Sequence, residues 1–153
     1  MKADYTDTYI TTVRSTCPMT AKDLFQQIFV HLPKPVLYLL RLRDWLVKPF
    51  GLQSGGRFTD FVTEQNDSRV IIYKSDKHLD FRILLQCDTF NVSTYQQTIK
   101  ISTFINYHNS LGKVYFFFIR PFHSFLCKQM LNRTARIWEK KYKCKQYITL
   151  WNY

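Results

Sequence analysis

Asp76, His78, Asp80 and Arg82 alternate along one charged, strand-like segment. Carboxylate, imidazole and guanidinium groups on one strand face could carry general acid–base work or hold a polar ligand head. The same spacing also makes a ladder of cross-strand ion pairs on a solvent-facing sheet. Parity favours the ladder, because these side chains point away from Leu79, Phe81 and Ile83. Lys100, Ser102 and Asn106 on a later strand are the polar groups that could meet them. A metal needs three or four converging ligands. His78, His108 and His123 with Asp76 or Asp80 could supply them only if the strand ends meet, and their spacing fits no metal motif, so no metal is expected. No nucleophile–base pair is legible either. Cys87 and Cys127 have no adjacent His, and Gly-x-Ser-x-Gly does not occur.

The balance of charge points to partners rather than to a reaction. The net charge is +11, and between Arg120 and Lys145 eight basic residues stand against Glu139 alone. A basic helix of this kind could meet an anionic membrane or an acidic protein, or simply keep the chain soluble. Nucleic acid is disfavoured, because the aromatic residues beside the charges, such as Trp138, have core spacing. Cys17, Cys87, Cys127 and Cys144 form no Cys-x-x-Cys pair, which argues against a zinc site or a disulfide framework. Reduced thiols and the absence of an apolar signal core after Met1 make a cytoplasmic protein the expectation. No apolar run is long enough to span a bilayer.

The elements that must position these residues follow from periodicity. The chain of 153 residues fits one domain, 1–153. Asp4–Arg14 reads as a strand. Thr20 and Asp23 mark a helix start, and Leu24, Phe25, Ile28, Phe29 and Leu32 form its stripe until Pro33. A second helix begins near Pro35 and ends at Pro49 and Gly51. Arg57–Thr63, Arg69–Lys74, Leu79–Cys87 and Ser93–His108 read as strands, the last two each with one polar and one apolar face. Lys113–Ile119 is apolar at every position except its first and reads as a central strand, after which Pro121 opens a long helix to about Lys143. The tail from Gln146 to Tyr153 reads as strand-like or irregular. The expected class is α+β, a helix-grip fold. A curved antiparallel sheet wraps a long C-terminal helix, with two short helices after the first strand.

Several spaced motifs carry a resemblance. Asp4-Tyr5, Leu40–Asp44, Val47–Leu52, Asp76–Arg82, Asn109–Gly112, Tyr115 and Ile119–His123 follow in order. In this the chain resembles the DUF2867 family of small bacterial proteins. The resemblance implies membership of the broad START/Bet v 1-like (SRPBCC-type) group, whose members often hold apolar ligands between sheet and long helix. It assigns no chemical role to any residue. Some relatives carry the segment behind a nucleotide-binding dehydrogenase domain. This chain has no Gly-x-Gly-x-x-Gly, so no redox role or cofactor is implied.

The leading expectation is a binding protein for a hydrophobic or amphipathic small molecule. Aromatic residues make up 17% of the chain, enough to line a cavity or to fill an aromatic core. The expected wall is drawn from Phe81, Ile101, Ile105, Tyr107, Tyr115, Phe117, Phe122 and Leu126, with Arg82 or His123 orienting a polar head. The alternatives are an enzyme using Asp76, His78, Asp80 and Arg82, and an interaction module using the basic C-terminal helix.

Overall fold

The computed structural model describes residues 2–51 and 57–143. Strand β1 (Tyr5–Arg14) is followed by helix α1 (Ala21–Phe25), which runs on as a π-helical turn over Gln26–Val30. Helix α2 (Lys34–Val47) comes next, then β2 (Val62–Gln65), β3 (Arg69–Ser75), β4 (Leu79–Cys87) and β5 (Gln96–Tyr107). Helix α3 (Ser110–Lys141) completes the order. The five strands form one antiparallel sheet in the order β1-β5-β4-β3-β2, so the first strand pairs with the last. α3 packs on β1 and β5, and α1 packs on β3 and β4. This is the α+β helix-grip arrangement expected from the order of elements. No helix among the described residues is long and apolar enough to cross a membrane.

Local chemistry explains the boundaries. Thr20 and Asp23 form a reciprocal cap: the Asp23 N–H donates to Thr20 Oγ1, and the Thr20 N–H donates to Asp23 Oδ2. Gln97, buried in β5, holds the approach to this helix. Its Oε1 accepts from the Met19 N–H at 2.8 Å and its Nε2 donates to the Met19 carbonyl at 2.9 Å. In β1, β4 and β5 the odd-numbered residues face α3 and the core, as alternation requires. The expected strand at Arg57–Thr63 is mostly a 3-10 turn, Phe58–Phe61, and the strand starts only at Val62. The tail from Gln146 lies outside the described residues.

The larger correction concerns Lys113–Ile119. It belongs to α3 and not to the sheet, and Pro121 lies inside the helix rather than at its start. Asn109 starts the helix, its side chain accepting from the Gly112 N–H at 3.0 Å. The buried stripe is helical: Gly112, Phe116, Cys127, Met130, Leu131 and Trp138 are among its members. Phe117 and Phe118 are exposed. A run that is apolar on all sides favours a strand on propensity, but the cap and the inward stripe decide for helix.

The core has two parts. The larger packs Leu24, Val70, Ile72, Leu85, Ile99 and Leu131 beneath α1 and the second half of α3. The smaller packs Leu79, Ile105 and Phe116 under the start of α3. There the helix comes close enough to the β3–β4 turn that a Cβ on Gly112 would overlap the His78 carbonyl oxygen. Gly112→Ala should therefore lower stability by about 1–3 kcal/mol, the usual range for overpacking. Helix propensity alone predicts a gain of up to about 1 kcal/mol. Urea denaturation of the two proteins decides between them.

Candidate functional site

Between the two core parts lies a cavity of about 620 Å³, walled by the sheet, α2 and α3. Its lining is mainly aliphatic and aromatic, with Arg43, Asp44, Lys74, Asp76 and His123 among the few polar members. α2 forms a wall rather than a core element: only Val47 of its residues is buried, while Leu39 and Leu40 line the space. Of the wall expected from sequence, Phe81, Ile101, Ile105, Tyr115, Phe122, Leu126 and His123 line the cavity. Tyr107, Phe117 and Arg82 do not. Tyr107 packs against Phe116 in the smaller core, and Phe117 is 72% exposed because its segment is helical. Arg82 lies on the outer sheet face over the Tyr73 ring.

The alternating charged segment is split. Asp76 and His78 lie in the turn between β3 and β4, where strand parity does not apply. Asp76 reaches the cavity wall. His78 is buried beneath the start of α3, its Nδ1 facing the Asn109 side chain. Asp80 faces outward, accepting from Ser75 Oγ at 2.6 Å and lying 3.1 Å from His108 Nε2. Asp80 stands opposite Asn106, whereas Ser102 pairs with Thr8 of β1 and Lys100 reaches Asp88. Asp80 and Arg82 thus share the outer face of β4, while Asp76 and His78 lie apart from them in the turn, so the four form no single patch. Among the described residues no three His, Cys, Asp or Glu side chains come together as a metal site.

A different polar group stands behind the cavity wall. Asp7 projects inward from β1, 11% exposed, and accepts from Tyr5 Oη at 2.9 Å and Tyr9 Oη at 3.1 Å. His123 Nε2 lies 3.5 Å from the Asp7 carboxylate and 2.9 Å from Thr103 Oγ1. Cys127 Sγ, one turn along α3, is 3.6 Å from His123 Nε2. Asp7 Oδ1 is buried without a partner among the described groups. Burial pushes the Asp7 carboxyl up, but the hydrogen bond and charge of His123, with Tyr5 and Thr103, outweigh it and leave the group below its ordinary value. Burial, helped by the Asp7 charge, pushes the Cys127 thiol up to about 12, so at neutral pH it is a neutral thiol and no nucleophile. The arrangement offers the cavity an imidazole oriented from behind by a carboxylate and a hydroxyl.

Asp7 and Thr103 escape a reading by sequence. A carboxylate between two threonines in an N-terminal strand reads as surface, and a threonine interrupting Ile101 and Ile105 reads as packing. The available signal was parity: Tyr5, Asp7 and Tyr9 must share a face. The expectation that Cys127 has no adjacent His is corrected: His123 stands at i−4 in the helix, a neighbour that reading along the chain alone overlooks.

The chain belongs to the family described as Protein of unknown function (DUF2867), whose model matches residues 1–130. Among solved structures it is similar to Ara h 8.0201, at 12% identity and a TM-score of 0.31, over 86% of this chain and 99% of that one. No curated protein matches the chain.

The titrations give a pH profile. Asp7 is lowered, and so is Asp80, chiefly by its bond from Ser75, so both contribute stability that is present above about pH 4 and lost as pH falls through their folded values. His108 runs the other way. Its bond to Asp80 raises it, so its contribution is complete below about pH 6.5 and lost as pH rises through its folded value. Thermal melts should plateau between these limits, with the alkaline slope shallow because His108 is exposed. Asp7→Asn should flatten part of the acid side, and His108→Gln should remove the alkaline slope and, through Asp80, also reduce the acid one.

Proposed function

We propose that this protein holds a hydrophobic or amphipathic small molecule between the sheet, α2 and α3. The observation that carries the reading is the cavity of about 620 Å³ with a largely apolar wall. That volume is within the range of small-molecule sites, which pair an apolar lining with a few placed polar groups. His123 is the group best placed to meet a polar atom of the ligand, because Asp7 and Thr103 fix its ring from the far side. Phe81 and Phe116 pack around the same ring at 6.1 Å between centroids, which leaves an apolar body as the natural companion of that contact. An enzymatic role for Asp76, His78, Asp80 and Arg82 gains no support, since Asp76 and His78 lie in the β3–β4 turn while Asp80 and Arg82 are on the outer face of β4, away from the cavity.

Native mass spectrometry of the purified protein, followed by denaturing extraction, tests this reading. The expected result is an added mass that leaves on unfolding, or uptake of apolar probes such as fatty acids and polycyclic aromatics. Leu126→Trp, which puts an indole into the space, should weaken uptake by about tenfold or more, equal to about 1.4 kcal/mol. Asp80→Asn on the outer face should leave it unchanged. A clean apo mass with no uptake of any probe removes the proposal.

A further inference from the structure

The cavity opens where the surface is most apolar. Leu42 and Leu46 of α2 and Val114, Phe118 and Phe122 of α3 line the cavity and are also exposed. Beside them stand Trp45, 70% exposed, and Phe117, 72% exposed, with Tyr38 and Phe125 continuing the two helical stripes. Large exposed aromatics at this density mark an interaction surface. The exposed charges of the two helices around them are basic, while Asp76 of the β3–β4 turn is an acidic member of the cavity lining. Lys34 and Arg41 on α2, Lys48 just after it, and Lys113 and Arg120 on α3 are exposed. α3 has no acidic residue from Ser110 to Trp138, and Asp44, the acidic residue of α2, is held by Arg43 at 2.6 Å.

We propose that this surface docks side-on to an anionic phospholipid bilayer. Aromatic rings favour the membrane interface, and lysine and arginine around them meet anionic headgroups. The far half of α3, where basic residues are densest, is a poorer candidate. Beyond Phe125 the described part of the helix exposes no large apolar side chain to insert. A second copy of the chain is also disfavoured, because a two-fold contact through this face would set the exposed basic residues of the two helices against one another. The proposal goes beyond ligand binding and does not depend on it. A filled cavity and a docked surface are separate properties.

Cosedimentation of the full chain with phosphatidylcholine vesicles, with and without roughly one-third phosphatidylserine, tests the surface. The expected result is binding to the anionic vesicles only, weakened by salt. Trp45→Ser with Phe118→Ser should reduce partitioning by about tenfold or more. Arg41→Glu with Lys113→Glu should do the same, and serves if the first pair does not fold by circular dichroism. Lys140→Glu with Lys141→Glu should change little. In a Trp151→Phe background, brominated lipids should quench Trp45, since Trp138 is buried. No binding at low salt overturns the proposal. So does binding that survives loss of the aromatics, and so does a concentration-dependent dimer abolished by the Trp45 and Phe118 changes without vesicle binding.

Discussion

The fold depends on α3 being fastened to the sheet at both ends. At its start, Asn109 caps the helix and meets His78, while Gly112 lets the backbone lie against the β3–β4 turn. At its end, Trp138 Nε1 donates to the Cys17 carbonyl at 3.0 Å, Thr16 N–H donates to the Tyr142 carbonyl, and Glu139 accepts from the Arg14 N–H. Between these anchors the helix follows its own line over the inner face of β1 and β5. The two hydrophobic clusters form where helix and sheet meet closely, and the cavity draws its wall from both. Among the described residues α2 has no comparable anchoring, and it serves as the far wall.

The charged group in this apolar interior has a physical justification. A carboxylate taken out of water is costly unless its oxygens are satisfied. Tyr5, Tyr9 and His123 gather at Asp7 Oδ2, and Oδ1 is left over. The Asp7 carboxylate and the Thr103 hydroxyl, both at Nε2, together hold the angle of the His123 ring. Orientation of this kind is the usual means by which a mainly apolar pocket distinguishes ligands of similar size.

Much of the fold was legible in the sequence where one local signal decided the outcome. Thr20 and Asp23 marked a helix start because capping is short-range chemistry. β4 and β5 showed their faces because alternation survives in strands covered on one side only. The Phe-rich start of α3 failed for the opposite reason. Its residues carry no polar face, so propensity spoke for a strand while the deciding contacts, Asn109 with Gly112 and Gly112 with His78, depend on geometry. The site was legible in most of its apolar members and in His123, but not in Asp7 and Thr103 behind it. Asp7, Thr103 and His123 come from β1, β5 and α3, and only the pairing of β1 with β5 makes them neighbours.

That pairing has a kinetic consequence. Tyr5 sits opposite Ile105 and Arg14 opposite Gln96, so β1 leaves the ribosome roughly eighty to a hundred residues ahead of its partner. At about 5–20 residues per second this delay lasts several seconds. Contacts this far apart in sequence also slow folding, since a long loop must close before they form. Through that interval β1 is a lone strand with unpaired backbone groups on both edges, and its alternating threonines keep one face polar while it waits. The nascent chain is thus exposed to misassociation at β1 until β5 pairs one of its edges and α3 covers its inner face.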